Sequence, residues 1–228
     1  MYRNLRIWAL CLSIHLATAA GLSSDEEALR VLIIDGRNNH DWRITTDALR
    51  ATLEATGRFT VAVSTAPEST VPHGPRAPRT EDPQRKTLYE KAVATHAELT
   101  RPAKAASSAT FDAWRPDFAA HDVVLLNYNG QHWPEAARAG FVEFVRQGGG
   151  VLLVHGANNA FYNWDAFNEM IGLGWRKANY GKAVKIDPDT GKAFVDESAG
   201  NSAHGSKHPF RVTVREPRHP VMQGLPPS

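Results

Sequence analysis

The segment LLVHGANNAF, from Leu152 to Phe161, indicates the fold class of this 228-residue chain. It opens with a continuous apolar run, which predicts a strand buried on both faces of a parallel sheet. The small residues Gly156 and Ala157 follow, and a sharp turn is predicted there. In several α/β enzymes such a turn presents a nucleophilic Cys or Ser, but here the position holds His155. The segment therefore predicts an α/β architecture without the usual nucleophile.

On both sides of this segment, strand patterns alternate with helix patterns along the chain. Further strands are predicted at Arg30–Asp35, Arg58–Ser64, Asp122–Tyr128 and His208–Val214. Helices are predicted in ITTDALRATLEATG, which ends near Gly57, in the segment that begins at Pro134, and at Trp164–Gly172. Crossover helices between successive strands indicate parallel pairing. The chain is therefore expected to form a flavodoxin-like, doubly wound α/β fold with a mainly parallel sheet.

One stretch, at about residues 66–115, interrupts this alternation. Prolines punctuate it, with Arg and Lys between them, and RKTLYEKAVATHAEL could form one exposed helix over Arg85–Leu99. This composition predicts a Pro-rich insertion on the domain surface, partly mobile. A lid is its functional interpretation.

The first twenty residues have the three-part pattern of a secretory signal peptide. Arg3 and Arg6 precede an apolar run, and ATAA at Ala17–Ala20 offers a small-residue cleavage site. The run is short for a membrane span, so no stable span is expected after cleavage, and an uncleaved anchor is the alternative. We expect export to the periplasm or the extracellular space. Cys11 is the only cysteine, so the mature chain would have neither disulfides nor a cysteine nucleophile.

Charge and composition restrict the possible partners. The formal net charge is +2, from 26 Lys and Arg against 24 Asp and Glu. Loss of Arg3 and Arg6 with the signal peptide leaves 24 of each sign. No basic patch is evident, so nucleic acid is not an expected partner. A chain that is 42% hydrophobic and 22% charged suits one globular domain with a sizeable core.

Three strand-end loops share an unusual composition of amides, imidazoles and aromatic rings. They are residues 38–42, 127–133 and 155–159. In open α/β sheets ligands bind beyond the carboxyl ends of the strands, so these loops are expected to meet on one rim. Amides and aromatic faces suit a sugar, although in any single loop they could instead bond to the loop backbone. The predicted substrate-binding residues are Asn39, Trp42, Asn127, Asn129, Asn158 and Trp164.

At these motifs the sequence resembles the ThuA-like, or trehalose-utilisation, family. The resemblance rests on NNHDW, DVVLLNYNG, GGGVLLVHGANNAFYNWDAFNEMIG, SAHGSKHPF and HPVMQGLP, and it covers about residues 29–227. It implies a fold similar to class I glutamine amidotransferases, with His rather than Cys at the elbow, as His155 is here. Glutamine amidotransferase chemistry is therefore not expected. In this family HPVMQGLP is followed by an acidic DELY-type segment, so a C-terminal truncation at Ser228 is expected.

The resemblance also implies a role in sugar catabolism, with trehalose and 3-keto-glycosides as candidate substrates. A carbonyl at C3 would acidify the neighbouring C–H, and His40 and His155 could serve as base and donor for its removal. A divalent metal held by His155, His204 and His208 is a further possibility. If the protein is an enzyme, it would be a lyase, isomerase or hydrolase acting on sugars. A non-catalytic carbohydrate-binding domain is the alternative, and a hydrolase using Ser202 or Ser206 is disfavoured because no G-x-S-x-G motif precedes a helix.

Overall fold

A computed structural model describes residues 27–69, 71–178, 180–198, 200–212, 214 and 216–225. The chain forms two compact units, Met1–Ala157 and Asn158–Ser228. The predicted signal peptide, residues 1–20, lies outside the described residues. Within the described ranges, no helix has the length and apolar character that crossing a membrane requires.

The first unit contains a four-stranded sheet in which all strands run parallel. Its strands are β1 (Leu29–Asp35), β2 (Phe59–Thr65), β3 (Val123–Leu126) and β4 (Gly150–Leu153). The spatial order is β2-β1-β3-β4, with β1 paired along its length to β2 and over four residues to β3. This order is that of flavodoxin-like folds, so the predicted α/β class is confirmed.

Helices connect the strands. They are α1 (Trp42–Glu54), α2 (Pro83–Asp112) and α3 (Glu135–Arg146) in the first unit, and α4 (Asp165–Ile171) in the second. Helix α1 begins where Asp41 caps it, because the Asp41 carboxylate accepts a hydrogen bond from the Ile44 N–H at 3.3 Å. Its apolar residues Leu49 and Leu53 pack against the sheet. The cap and the apolar face together fix the position of the loop between β1 and α1.

The centre of the sheet is buried on both faces. Val31, Ile33 and Leu125 form one core cluster, while Leu32 and Ile34, which point to the opposite face of β1, are equally buried. This double burial explains why β1 has a continuous apolar sequence rather than an alternating one. Burial on both faces therefore makes β1 a rigid central strand, and the site described below lies at its carboxyl end.

An aromatic cluster packs beside the sheet in the first unit. Trp133 contacts Phe141 with ring centroids 5.5 Å apart and Trp114 with centroids 5.6 Å apart. Phe118 packs on Phe141, also at 5.5 Å. Trp133 is only 2% exposed, so this aromatic residue of the 127–133 loop belongs to the core rather than to an open rim.

The insertion contains more helix than its composition predicts. Helix α2 runs for 30 residues and continues through Pro102, whereas the sequence predicted a helix over residues 85–99 only. Proline removes one backbone donor, but the helix is largely exposed here, and water can satisfy the carbonyl left without a partner. The end of α2 is anchored, because Phe111 is buried and the Trp114 indole N–H donates to Ser64 Oγ at the end of β2, at 3.1 Å.

The second unit contains α4 and an antiparallel hairpin of β5 (Ala183–Ile186) and β6 (Ala193–Asp196). Residues 187–192, with the sequence DPDTGK, form the turn between them. Neither flanking strand was predicted. The predicted strand at His208–Val214 is wrong for its described residues, 208–212 and 214, which form no strand. Alternation of apolar residues requires a partner strand to become a strand, and these described residues have none.

Candidate functional site

The carboxyl ends of β1, β3 and β4 meet at one edge of the first unit's sheet, because the strands are parallel. Asp35 ends β1, Asn127 follows β3, and His155 lies two residues beyond β4. The Asn127 N–H donates to the Ile34 carbonyl at 2.9 Å, which extends the ladder into the loop. The side chains of this rim therefore start from fixed backbone positions.

A buried hydrogen-bond chain ties the rim together. Thr46 on α1 donates its hydroxyl to Asp35 Oδ2 at 2.8 Å and accepts from Asn127 Nδ2 at 3.1 Å. Asn38 Nδ2 donates in turn to Asn127 Oδ1 at 3.1 Å. Asp35, Thr46 and Asn127 are all buried, and Asp35 Oδ1 has no hydrogen-bond partner among the described residues. The Asn127 side chain therefore connects the end of β3 to α1 and to the loop after β1, and it is not presented to solvent.

Sequence reasoning missed Asp35 and Thr46 as site residues. The signal for Asp35 is an acidic residue that ends an otherwise apolar buried strand. Thr46 gives no such signal, because its role depends on which turn of α1 faces β1. Neither residue belongs to the amide and imidazole pattern that defined the predicted site.

A second chain of amides leads from the backbone to His40. Asn129 Nδ2 donates to the Gly156 carbonyl at 3.0 Å and also to Asn39 Oδ1. A carbonyl oxygen only accepts, so the NH₂ group of Asn129 must face the Gly156 carbonyl. The same NH₂ group then donates to the Asn39 side-chain oxygen, which leaves the NH₂ group of Asn39 facing His40. Asn39 Nδ2 lies 3.3 Å from His40 Nε2. In that orientation the Asn39 amide donates to His40 Nε2, and a neutral His40 ring would then carry its proton on Nδ1.

The structure brings His40 and His155 together. Their ring centroids are 4.6 Å apart and the rings are inclined at 48°. Both side chains are exposed at the rim. In the described part of the chain, the ring nitrogens of His155 have no hydrogen-bond partner. His155 has a φ of 38°, a left-handed conformation that is uncommon for a residue with a side chain and that turns the backbone sharply after β4.

Gly156 completes the turn, and a side chain there would displace the neighbouring amide groups. A Cβ at this position would lie 2.9 Å from Asn38 Oδ1 and 3.0 Å from Asn39 Oδ1. The loop after β1 thus packs directly on the backbone after β4. This close approach explains why small residues follow the elbow histidine.

Two aromatic residues border the rim, with different roles. The Tyr128 hydroxyl donates to the Gln131 carbonyl at 2.8 Å, and burial raises the pKa of Tyr128, so the phenol stays protonated at neutral pH. Trp42, a predicted sugar-binding residue, is half-buried, and the Arg43 guanidinium lies 4.1 Å from its ring centroid. One face of the indole is therefore occupied by a cation–π contact.

The remaining predicted residues lie in the second unit. The Asn158 carbonyl accepts from Arg176 Nη1 at 2.7 Å, so its backbone is used within that unit. Trp164 is 9% exposed and stacks on Phe167 with ring centroids 5.5 Å apart. It belongs to a local core, and its contact with a sugar stays a prediction. Arg176 was not predicted, and burial lowers its pKa.

His204, His208 and Ser202 are exposed in the second unit. The His204 ring lies near Trp175, with centroids 5.9 Å apart, and His208 Nδ1 lies 2.9 Å from the Pro209 carbonyl. Ser202 Oγ accepts from the backbone N–H of Arg176 at 3.1 Å. Among the described residues no group of three or more His, Cys, Asp or Glu is arranged to hold a metal ion. The metal set of His155, His204 and His208, divided between the two units, stays a prediction.

Comparison with known proteins agrees with this architecture. The ThuA family, described as trehalose utilisation, matches residues 84–228. The chain belongs to this family. It is also similar to the crystal structure of a ThuA-like protein from Parabacteroides merdae, with a TM-score of 0.66 and 31% sequence identity. That similarity covers 88% of this chain and 59% of the other, so this chain spans about three-fifths of that protein's length. No curated protein matches the sequence.

Proposed function

We propose that this protein acts in carbohydrate metabolism by removing a proton next to the carbonyl group of a 3-keto-glycoside or a related keto sugar. The proposal rests on one observation, the pair of imidazoles 4.6 Å apart at the rim. Membership of the trehalose-utilisation family supports a sugar as the substrate class. We further propose export, on the signal-like pattern of residues 1–20.

The two histidines are suited to different roles. An imidazole can take or give a proton near neutral pH, which is what general acid–base catalysis requires. In the described residues nothing occupies the ring nitrogens of His155, so His155 is assigned as the base. With Asn39 donating to its Nε2 at 3.3 Å, His40 would keep an Nδ1–H available. His40 is therefore assigned as the donor to the oxygen on which negative charge develops.

The amides around this pair suit a polyol ligand. Asn39 is exposed, and Asn129 is half-buried beside it. Each amide group both donates and accepts, which matches sugar hydroxyls. Asn129 and Asn39 already form the hydrogen-bond chain to His40. A ligand that bonds to these amides would therefore be connected to the His40 imidazole through that chain.

Solvent exchange tests the proposal more directly than product formation does. A keto-glycoside in D₂O would be followed by NMR for exchange of the proton next to its carbonyl. His155→Asn should slow protein-dependent exchange by about 10²-fold, as loss of a general base does, while leaving the melting temperature nearly unchanged. His121→Asn is the matched control, since His121 precedes β3 at the opposite edge of the sheet and bonds to the Asp117 carbonyl at 2.8 Å.

Loss of stability with full exchange activity in His155→Asn would show that the elbow histidine is scaffold. Binding of the sugar without any exchange in the wild-type protein would instead favour a non-catalytic carbohydrate-binding domain. That second candidate has one supporting observation, the half-buried Trp42, which leaves part of its indole surface for a pyranose ring.

A further inference from the structure

A cavity of about 920 Å³ lies within the first unit, between the sheet rim and the insertion. Its walls come from the loop after β1, from residues 66–69 and 71–74 after β2, and from the middle of α2. Neither His40 nor His155 lines it. The volume is within the range of pockets that hold small ligands.

Defined contacts hold the walls of this cavity in place. The Ala66 N–H donates to the Asp35 carbonyl at 2.9 Å, which fixes the start of the segment after β2. His96 on α2 has its Nε2 3.1 Å from the Pro72 carbonyl, which joins the helix to that segment. The C-terminal end of α2 is anchored to β2, as described above. Hydrogen bonds therefore hold the walls of this partly open cavity in place.

Charge in this cavity is unevenly compensated. The charged side chains that line it are Arg37, Glu68, Glu98, Arg101 and Lys104. Both carboxylates are already paired, Glu98 with Arg101 and Glu68 with Arg43. Across the described residues, neither Arg37 nor Lys104 has a carboxylate partner. Arg37 and Lys104 thus line this partly open cavity without a carboxylate partner among the described residues.

We propose that the cavity binds an anionic carbohydrate, with Arg37 and Lys104 holding its phosphate or carboxylate group. The Arg fork matches the oxygen geometry of both groups, and Lys adds a point charge. Asn38 and Trp42 also line the cavity and supply an amide and an aromatic surface for the sugar ring. Asn38 bonds to the buried chain of the rim, so the bound sugar would lie beside the candidate site.

Calorimetric titration with four ligands tests this inference: a hexose phosphate, a hexuronate, the neutral hexose and inorganic phosphate. One of the two anionic sugars should bind at least about tenfold more tightly than the neutral hexose, and the comparison of the two shows which acid group the cavity accepts. Arg37→Gln and Lys104→Met should each weaken that binding by about tenfold or more. Lys91→Met, an exposed cation on α2 outside the cavity, should leave it unchanged.

Equal affinity for charged and neutral sugars, or no binding of either acid, would overturn the inference. So would inorganic phosphate binding as tightly as the anionic sugars, because the cavity would then hold an ion only. If Arg37→Gln does not fold, Lys104→Met decides alone, since Lys104 is exposed. His155→Asn should retain affinity for the anionic sugar even where proton exchange is lost, which separates this inference from the proposed function.

Discussion

Replacing Gly156 by alanine tests how closely the rim amides are packed. The added Cβ would lie 2.9 Å from Asn38 Oδ1, 3.0 Å from Asn39 Oδ1 and 3.2 Å from Asn129 Nδ2. At least one amide must move, although Asn38 and Asn129 are held by hydrogen bonds of 3.1 and 3.0 Å. One lost bond costs about 0.5–1.5 kcal/mol, and overpacking strain brings the expected loss to about 1–3 kcal/mol.

Thermal unfolding followed by circular dichroism measures this loss. A loss of about 2 kcal/mol should lower the melting temperature of a chain of this size by about 4–8 °C. The control is Gly181→Ala, where the Cβ meets no atom within 4 Å, and its effect should stay within about 1 kcal/mol. Proton exchange should fall in Gly156→Ala alone, since the Asn129–Asn39–His40 chain is displaced. If the two variants melt and exchange alike, the packing and the His40 tautomer deduced from it are wrong.

Two further predictions concern the buried chain and the amino edge of the sheet. Thr46→Val should lower the free energy of unfolding by about 2–3 kcal/mol in urea titrations, because it leaves buried Asp35 without its hydrogen-bond donor. The control, Thr52→Val on the exposed face of α1, should change the free energy of unfolding by less than about 0.5 kcal/mol. Equal effects of the two substitutions would contradict the buried hydrogen-bond chain. The Arg30 guanidinium bonds to Asp122 and holds the pKa of that carboxyl at about 2, so the stabilisation is complete above the ordinary value of 3.8 and is lost as the pH falls toward 2. Asp122→Asn should therefore show a smaller fall in the urea midpoint over that acid window than the wild type, and identical falls would refute the assignment.

Much of the fold could be predicted because the buried strands have continuous apolar sequences. The run from Val31 to Ile34 is apolar on both faces, and both faces are covered. The hairpin of β5 and β6 was missed because its exposed residues, such as Val184 and Val195, give no amphipathic contrast. The extent of α2 was missed because Pro102 predicts a break, and local propensity does not include the anchoring of the helix end.

The sequence predicted which strand ends form the candidate site, but it did not predict the side-chain contacts within it. Parallel strands must end at a shared edge, so the proximity of His40 and His155 follows from the topology. The burial of Asn127 and the part played by Thr46 depend on side-chain directions that spacing alone does not determine. Trp133 carried the same signal as a sugar-stacking residue, yet it packs in the aromatic cluster, because an indole suits a core as well as a ligand.

Strands β2 and β3 are joined by the long segment from Ala66 to Asp122, which includes α2. Closing a flexible loop costs entropy that grows only logarithmically with its length, by about 0.6 kcal/mol for each doubling. Changing the length of the exposed stretch before the anchored end of α2 would therefore change the stability of the sheet very little. That stretch can therefore vary in length in evolution without changing the strands whose ends carry the histidine pair.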